Sequence, residues 1–341
     1  MSYFKSSLYC FHALFFTAVL VLAGLDSNVY AEKKHIIKFA TLAPEGSSWM
    51  KSLRRFSGKI KKATEGNVSF KFYPGGVSGD EKDVIRKMRI GQLHGAGFTG
   101  VGLGAILPEV RVLDLPFLFQ SDQEIEHVYQ MMNDYFVESF DKKGYILLGW
   151  VPVGWIHFLS QKPIQTLADL RESKPWLWEG DPLVEQVYIG MDVQPIPLSI
   201  TDVLLSLQTG MVDTVYSSTQ GALVFQWFTK VNHVTRLRMG YATGGVLISK
   251  KKFKKLSPAY QEVLKKIGSE SLKELAAVIQ KDNLKAEKVL ENNGIKWVAQ
   301  PGPAVLKKFQ QAGSTAIQNL SGKLFSPELL NKVLRHLDEV R

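Results

Sequence analysis

The chain has 341 residues, 45% of them apolar and 22% charged, which suits about two globular domains and excludes a disordered tail protein. A single Cys excludes a disulfide scaffold and a thiolate zinc cluster. The net charge of +10 is spread along the sequence, so it speaks for a generally basic surface and against a nucleic-acid-binding stripe.

Residues 1–31 read as a secretory signal. Lys5 starts it, an apolar run from Leu8 to Leu25 follows, and a polar stretch ends at Val29-Tyr30-Ala31, with cleavage expected after Ala31. Cys10 lies inside that run, so the exported chain would hold no cysteine. An uncleaved anchor is the alternative, because the run approaches spanning length; His12 and the polar tail favour cleavage. No other segment has a long uncharged apolar run, and the remainder is expected to be soluble and exported.

Strands and helices then alternate. His35–Leu42 is strand-like and stopped by Pro44. Trp49, Leu53, Phe56, Ile60 and Ala63 share one helical face, ended by Gly66. Val68–Phe72 alternates strictly. Residues 80–92 are helical with Val84, Ile85 and Met88 inward. Ser121 with Glu124 forms a capping box opening a helix that runs to Gly144. Tyr145–Trp150 and Trp155–Leu159 are strands. Asp181-Pro182 caps and starts a short helix. Val193–Ile196 and Asp213–Tyr216 are strands, and a helix covers Leu223, Phe225 and Trp227. Arg236–Tyr241 and Gly245–Ser249 are further strands. Ser257-Pro258 then opens a long helix ended by Gly294. Such alternation predicts an α/β architecture with mixed, mostly parallel sheets. No linker divides the chain, so two domains would be crossed more than once.

Enzyme motifs are weak. Gly95-Ala-Gly97-Phe-Thr-Gly100 has dinucleotide-site spacing, but a charged helical segment precedes it, and the glycines read better as a close backbone approach. There is no phosphate loop and no nucleophile elbow. The seven His residues are scattered without metal-ligand spacing, so neither a metal nor a cofactor is expected. The seven Trp residues stand out. Trp176 and Trp178 would share one face of a strand ending at Gly180, an aromatic platform at the carboxyl edge where α/β proteins bind ligands.

Five ordered segments carry a family resemblance: Ala40–Pro44, Phe70–Gly76, Val112–Phe119, Lys162–Leu170 and Leu207–Asp213. With them, residues 32–330 resemble the DctP-type solute-binding proteins of tripartite ATP-independent periplasmic (TRAP) transporters. The resemblance implies a two-domain periplasmic binding protein, with domain I at 32–152 plus 241–285 and domain II at 153–240 plus 286–341. A ligand cleft would lie between them, and one long helix would join them. It implies no catalysis: a monomeric periplasmic receptor captures a small organic ligand and delivers it to TRAP permease membrane subunits, with no nucleic-acid partner.

In such proteins an Arg after the Asp-Leu segment clamps the ligand carboxylate; here Trp176 stands at that position. A guanidinium offers five donors and an indole one, beside a large apolar face. A charge-assisted hydrogen bond contributes about 1.5–3 kcal/mol, whereas a Trp face of roughly 150–250 Å² supplies a few kcal/mol from burial. The substitution therefore predicts a neutral, partly apolar or aromatic ligand. The alternatives are an organic acid held by a substitute cation (Arg171, Lys174 or Arg236), or a periplasmic enzyme reusing the cleft, for which His157 is the nearby imidazole. By matching positions, Trp49, Phe98, Thr99, Trp155, Trp176, Trp178, Glu179, Tyr216 and Ser217 are expected to line the cleft.

Overall fold

A computed structural model describes residues 34–341. The expected signal segment, with Cys10, lies outside the described residues. No described helix is long and apolar enough to cross a membrane.

In chain order the elements are β1 (His35–Ala40), α1 (Ser48–Ala63), β2 (Val68–Tyr73), α2 (Glu81–Arg89), β3 (Gly95–Thr99), α3 (Gly100–Ile106), a 3-10 turn at Pro108–Asp114, α4 (Asp122–Lys142), β4 (Tyr145–Trp150) and β5 (Gly154–Ser160). There follow α5 (Leu167–Glu172), β6 (Trp176–Trp178), α6 (Pro182–Gly190), β7 (Ile196–Leu198), α7 (Val203–Thr209), β8 (Thr214–Ser217), α8 (Thr219–Val224), β9 (His233–Thr235) and β10 (Gly240–Ala242). The last are β11 (Gly244–Ser249), α9 (Lys250–Phe253), α10 (Pro258–Asn292), β12 (Lys296–Val298), α11 (Pro303–Leu320) and α12 (Pro327–Asp338).

One sheet runs β2-β1-β3-β11-β4; a second runs β10-β5-β9-β12, with β8 also on β5; β6 and β7 form a small third. Both large sheets mix orientations: β1–β2, β1–β3 and β9–β12 are parallel, while β11 is antiparallel to β3 and β4, and β5 to β8, β9 and β10. Mixed sheets stand, but the expected parallel majority does not. Its physical reason is that the chain returns twice between sheets without a helix, and such direct returns give antiparallel pairs.

Those returns run side by side. From β4 to β5 and from β10 to β11 the chain passes from one sheet to the other, tied by Val151 N–H to Gly244 O (2.8 Å) and Val153 N–H to Ala242 O (2.9 Å). At Gly244 a Cβ would collide with the Val151 carbonyl, so glycine is required by the close approach. Helix α10, capped by Ser257, spans 35 residues and packs along this junction. Its Asn283 donates to Val153 O (2.9 Å) and accepts from the Gln220 N–H (3.0 Å), fastening both parts.

The cores follow the sheets. Phe39, Phe56, Ile60 and Val246 pack with α10 residues Leu264 and Leu272. Beyond the other face, α4 residues Val128 and Met132 share a core with Leu329, Val333 and Leu337 of α12. The C-terminal helix thus joins α4, whereas the residue 286–341 segment was expected wholly in domain II. Its stripe needs an apolar partner, and α4 offers one over a distance in sequence that no local pattern encodes. Helix α11 instead packs on α6, with Phe309 and Ala316 against Val187 and Tyr188. Of the expected strand 236–241 only the end pairs, as β10, and the expected helix at 223–227 breaks at Gln226, which adopts φ 58°.

Candidate functional site

The carboxyl end of β3, the 3-10 turn, β6, β8 and β10 surround a cavity of about 160 Å³. A void of that order accommodates one benzene-sized ring. Its wall is mostly aromatic and aliphatic, and its size suits a ring-scale solute.

The aromatic wall grows from strand alternation. In β6, Trp176 and Trp178 project the same way, with ring centroids 5.9 Å apart. Trp176 stacks on Tyr216 of β8 at 4.8 Å and meets Trp227 edge-on at 5.3 Å. The N–H groups of the two β6 indoles are already engaged. The Trp176 indole N–H donates to Leu198 O (3.0 Å), the Trp178 indole N–H to the Asp80 carboxylate (3.1 Å), and the Trp178 backbone N–H to the Tyr216 hydroxyl (3.2 Å). Burial, reinforced by the Asp181 charge, raises the Tyr216 hydroxyl well above its ordinary range, so it stays protonated. The two indoles therefore offer the cavity faces rather than donors, while the Tyr216 hydroxyl, which accepts from Trp178, keeps its own O–H.

Asp80 has a second task. It caps α2, yet it also accepts from Ser199 Oγ (2.6 Å) and Ile200 N–H (3.1 Å) beyond β7. One carboxylate therefore holds the entrance of α2 to the β6–β7 edge.

Among the described residues that line the cavity, three carry charge. Arg111, on the 3-10 turn, donates through Nη2 to both oxygens of Asp181 (3.0 and 2.9 Å), and its Nη1 lies 3.3 Å from Asp114 Oδ2. All three side chains are at most 7% exposed. Asp181 also caps α6 through the Leu183 N–H (3.0 Å), and Asp114 accepts from the Thr243 N–H (2.6 Å) at the strand return. Burial pushes the Asp114 carboxyl up from its ordinary range, against the pull of Arg111. Gly100 leaves room for this cluster, since a Cβ there would strike the Asp114 carboxylate.

Beside it, Glu81 is fully buried and accepts from Thr99 N–H (2.7 Å), Thr99 Oγ (2.9 Å) and Gly102 N–H (2.6 Å), fixing the start of α3. Burial pushes its carboxyl from 4.5 up to about 7, against those donors. A folded pKa above the unfolded one means the native state binds the extra proton, so the Glu81 contribution to stability is fully present below pH 4.5 and is lost as pH rises to about 7. The full drop is about 3 kcal/mol. Glu81→Gln is expected to flatten that slope in denaturant titrations spanning the two pKa values; an unchanged slope would assign the pH dependence to other groups.

Of the nine residues expected at the cleft, Thr99, Trp176, Trp178, Tyr216 and Ser217 line the cavity. Four do not. Phe98 points from β3 into the core, one residue out of phase with Thr99. Trp155 stands out of phase with Ile156 and opposite in face, while Ile156 and Phe158 line the cavity; its indole N–H donates to Asp122 (2.9 Å) and Arg238 lies over its ring at 4.6 Å. Trp49 packs beneath β3 against Gly97. Glu179 is exposed past the end of β6. His157 donates from Nδ1 to the Thr235 carbonyl (2.8 Å), and burial lowers its pKa to about 4, so it is a neutral structural imidazole.

Arg111 and Asp114 escaped sequence reading. A signal existed: they are opposite charges three positions apart in the otherwise apolar run 110–119.

Two mixed sheets joined by paired strand returns and a long helix, around an aromatic cavity, have the architecture of a solute-binding receptor. The chain belongs to the bacterial extracellular solute-binding protein family 7, the DctP family, whose model matches residues 39–323. It is thus a solute-binding subunit of the TRAP type and a receptor, not an enzyme. It is similar to the 2,3-diketo-L-gulonate-binding periplasmic protein YiaO of Escherichia coli, 23% identical over 93% of this chain and 92% of the other. It is also similar to the ectoine/5-hydroxyectoine-binding periplasmic protein UehA of Ruegeria pomeroyi, 27% identical over 53% of each chain. Among solved structures, the sugar acid binding protein DctPAm of Advenella mimigardefordensis, in complex with galactonate, superposes with TM-score 0.84 at 21% identity, covering 91% of this chain and 99% of that one. A TRAP solute-binding protein of Pseudomonas putida with bound D-glucuronate gives 0.80 at 23% identity, covering 87% and 96%.

Proposed function

We propose that this receptor captures a neutral, ring-sized organic solute, partly apolar or aromatic, and delivers it to TRAP permease membrane subunits. One observation carries the reading: the guanidinium in the cavity is matched by two carboxylates, Asp181 and Asp114. With both ionised, the cluster has an excess negative charge. At an effective dielectric near 20, one like charge about 5 Å away costs an anionic ligand about 3 kcal/mol. Trp176 at the position of the family's clamping Arg points the same way.

The organic-acid alternative draws on relatives named for galactonate and D-glucuronate. It needs a free cation at the cavity. Arg171 donates to Met191 O (3.0 Å), Lys174 to Gly210 O (3.1 Å), and Arg236 lies near Glu287 and Glu291 over the Trp297 ring; none lines the cavity. We further infer two lobes hinged at 151–153 and Thr243, export to the periplasm with cleavage after Ala31, action as a monomer, and no nucleic-acid partner.

The test is to purify the exported protein from the periplasm, extract it under denaturing conditions and identify bound small molecules by mass spectrometry. A neutral compound near one equivalent is the expected result. A small carboxylate at that yield would overturn the proposal.

A further inference from the structure

The flank formed by α4 and the chain's C-terminal end carries a second cluster, none of which lines the cavity. His127 of α4 places Nε2 2.7 Å from one carboxylate oxygen of Glu339, and His336 of α12 places Nδ1 3.1 Å from the other. The imidazoles meet edge to face with centroids 6.3 Å apart. One donor atom from each residue lies within 4.8 Å of the other two, and among the described residues this is the group with such convergence.

We propose that His127, His336 and Glu339 form a site for one divalent transition-metal ion of the zinc type, which ties the C-terminal helix to α4. Two imidazoles and a carboxylate make a three-ligand set that leaves coordination positions for water. Nitrogen donors select zinc, nickel or copper over calcium and magnesium, which take oxygen. Metal–ligand bonds of about 2.0–2.2 Å bring ligand atoms to about 3–3.5 Å of one another, so small side-chain rotations from the present spacing suffice.

The surroundings support the assignment. Val333 and Leu337 bury α12 in the core that holds Ile125 and Val128 of α4, so the two histidine backbones are fixed by packing. Arg341, at the chain's end, does not compete, because it is engaged by Glu124 (3.1 Å) and Leu118 O (2.7 Å). His127 and His336 are 26% and 15% exposed, so an ion and its waters have access. On binding, the ring atoms that now face Glu339 give up their protons; in neutral rings each proton moves to the other nitrogen, where water accepts it.

The experiment strips the exported chain with a chelator and titrates it with Zn²⁺ by calorimetry, with Co²⁺ absorption as an independent readout of coordination. One equivalent is expected, with affinity at least tenfold weaker in His127→Ala and in His336→Ala. Zinc should raise the unfolding temperature of the parent chain and leave that of the double variant unchanged, with circular dichroism confirming that the variants fold. Equal stoichiometry and affinity in the double variant, or no binding by the parent chain at millimolar Zn²⁺, would overturn the proposal.

Discussion

Arg111→Met is expected to destabilise the protein by about 3–5 kcal/mol, the range for breaking a buried ion pair from one side. Methionine fills most of the arginine stem's volume, so the loss is electrostatic rather than a cavity. Asp181 would keep its capping bonds from α6 and Asp114 its bond from Thr243, but neither would retain a countercharge. Both are almost wholly buried at the cavity wall, so water would replace the guanidinium only in part. The Asp114 carboxyl, already pushed up by burial, would then hold its proton more tightly without Arg111, and the variant should regain stability as pH falls. A triple variant, Arg111→Met with Asp114→Asn and Asp181→Asn, separates charge from shape. Asparagine oxygens still accept from Leu183 and Thr243, and no buried charge remains. Urea titration should return most of the loss in the triple variant. If the single change costs under about 1 kcal/mol, or the triple variant is as unstable as the single, the cluster is not the electrostatic centre of the cavity.

What sequence patterns could and could not reveal follows from the range of the interactions. Helices α1, α4 and α10 were legible because each carries an apolar stripe and two of them visible caps, Ser121 and Ser257, which act within one turn. Helix α3 was not, since three of its seven residues are glycine; its start is fixed by Glu81 from α2, a tertiary contact that overrides weak propensity. The aromatic wall was legible at Trp176 and Trp178, where period-two alternation decides the face. The same alternation misplaces Phe98 and Trp155, each one residue out of phase with the cavity. Arg111 finds Asp181 across 70 positions and His127 finds Glu339 across 212, and no spacing rule covers such pairs. The scattered histidines therefore looked unrelated until the α4–α12 packing joined two of them.

Trp176→Ala should cost about 3–5 kcal/mol, the range for truncating a buried large aromatic side chain, and should abolish solute binding. Trp176 is 1% exposed, stacks on Tyr216 and meets Trp227 edge-on, so its removal opens the wall on several sides. It also leaves the Leu198 carbonyl without its indole donor. Trp155→Ala is the control: that ring is half-buried, faces away from the cavity, and bonds an exposed Asp122, so about 1 kcal/mol is expected and binding should persist. Trp176→Phe distinguishes face from donor. It keeps an aromatic surface toward the cavity and loses the N–H, which already serves Leu198 rather than the solute. Its stability should drop by about 1 kcal/mol for the lost indole hydrogen bond, since the Leu198 carbonyl keeps the Glu179 N–H (3.1 Å), while affinity for the co-purified solute stays within tenfold of the parent. Loss of binding in Trp176→Phe equal to that in Trp176→Ala would mean the indole itself, not the apolar face, recognises the solute. An aromatic wall and a guanidinium held by two carboxylates would then no longer account for the choice of ligand.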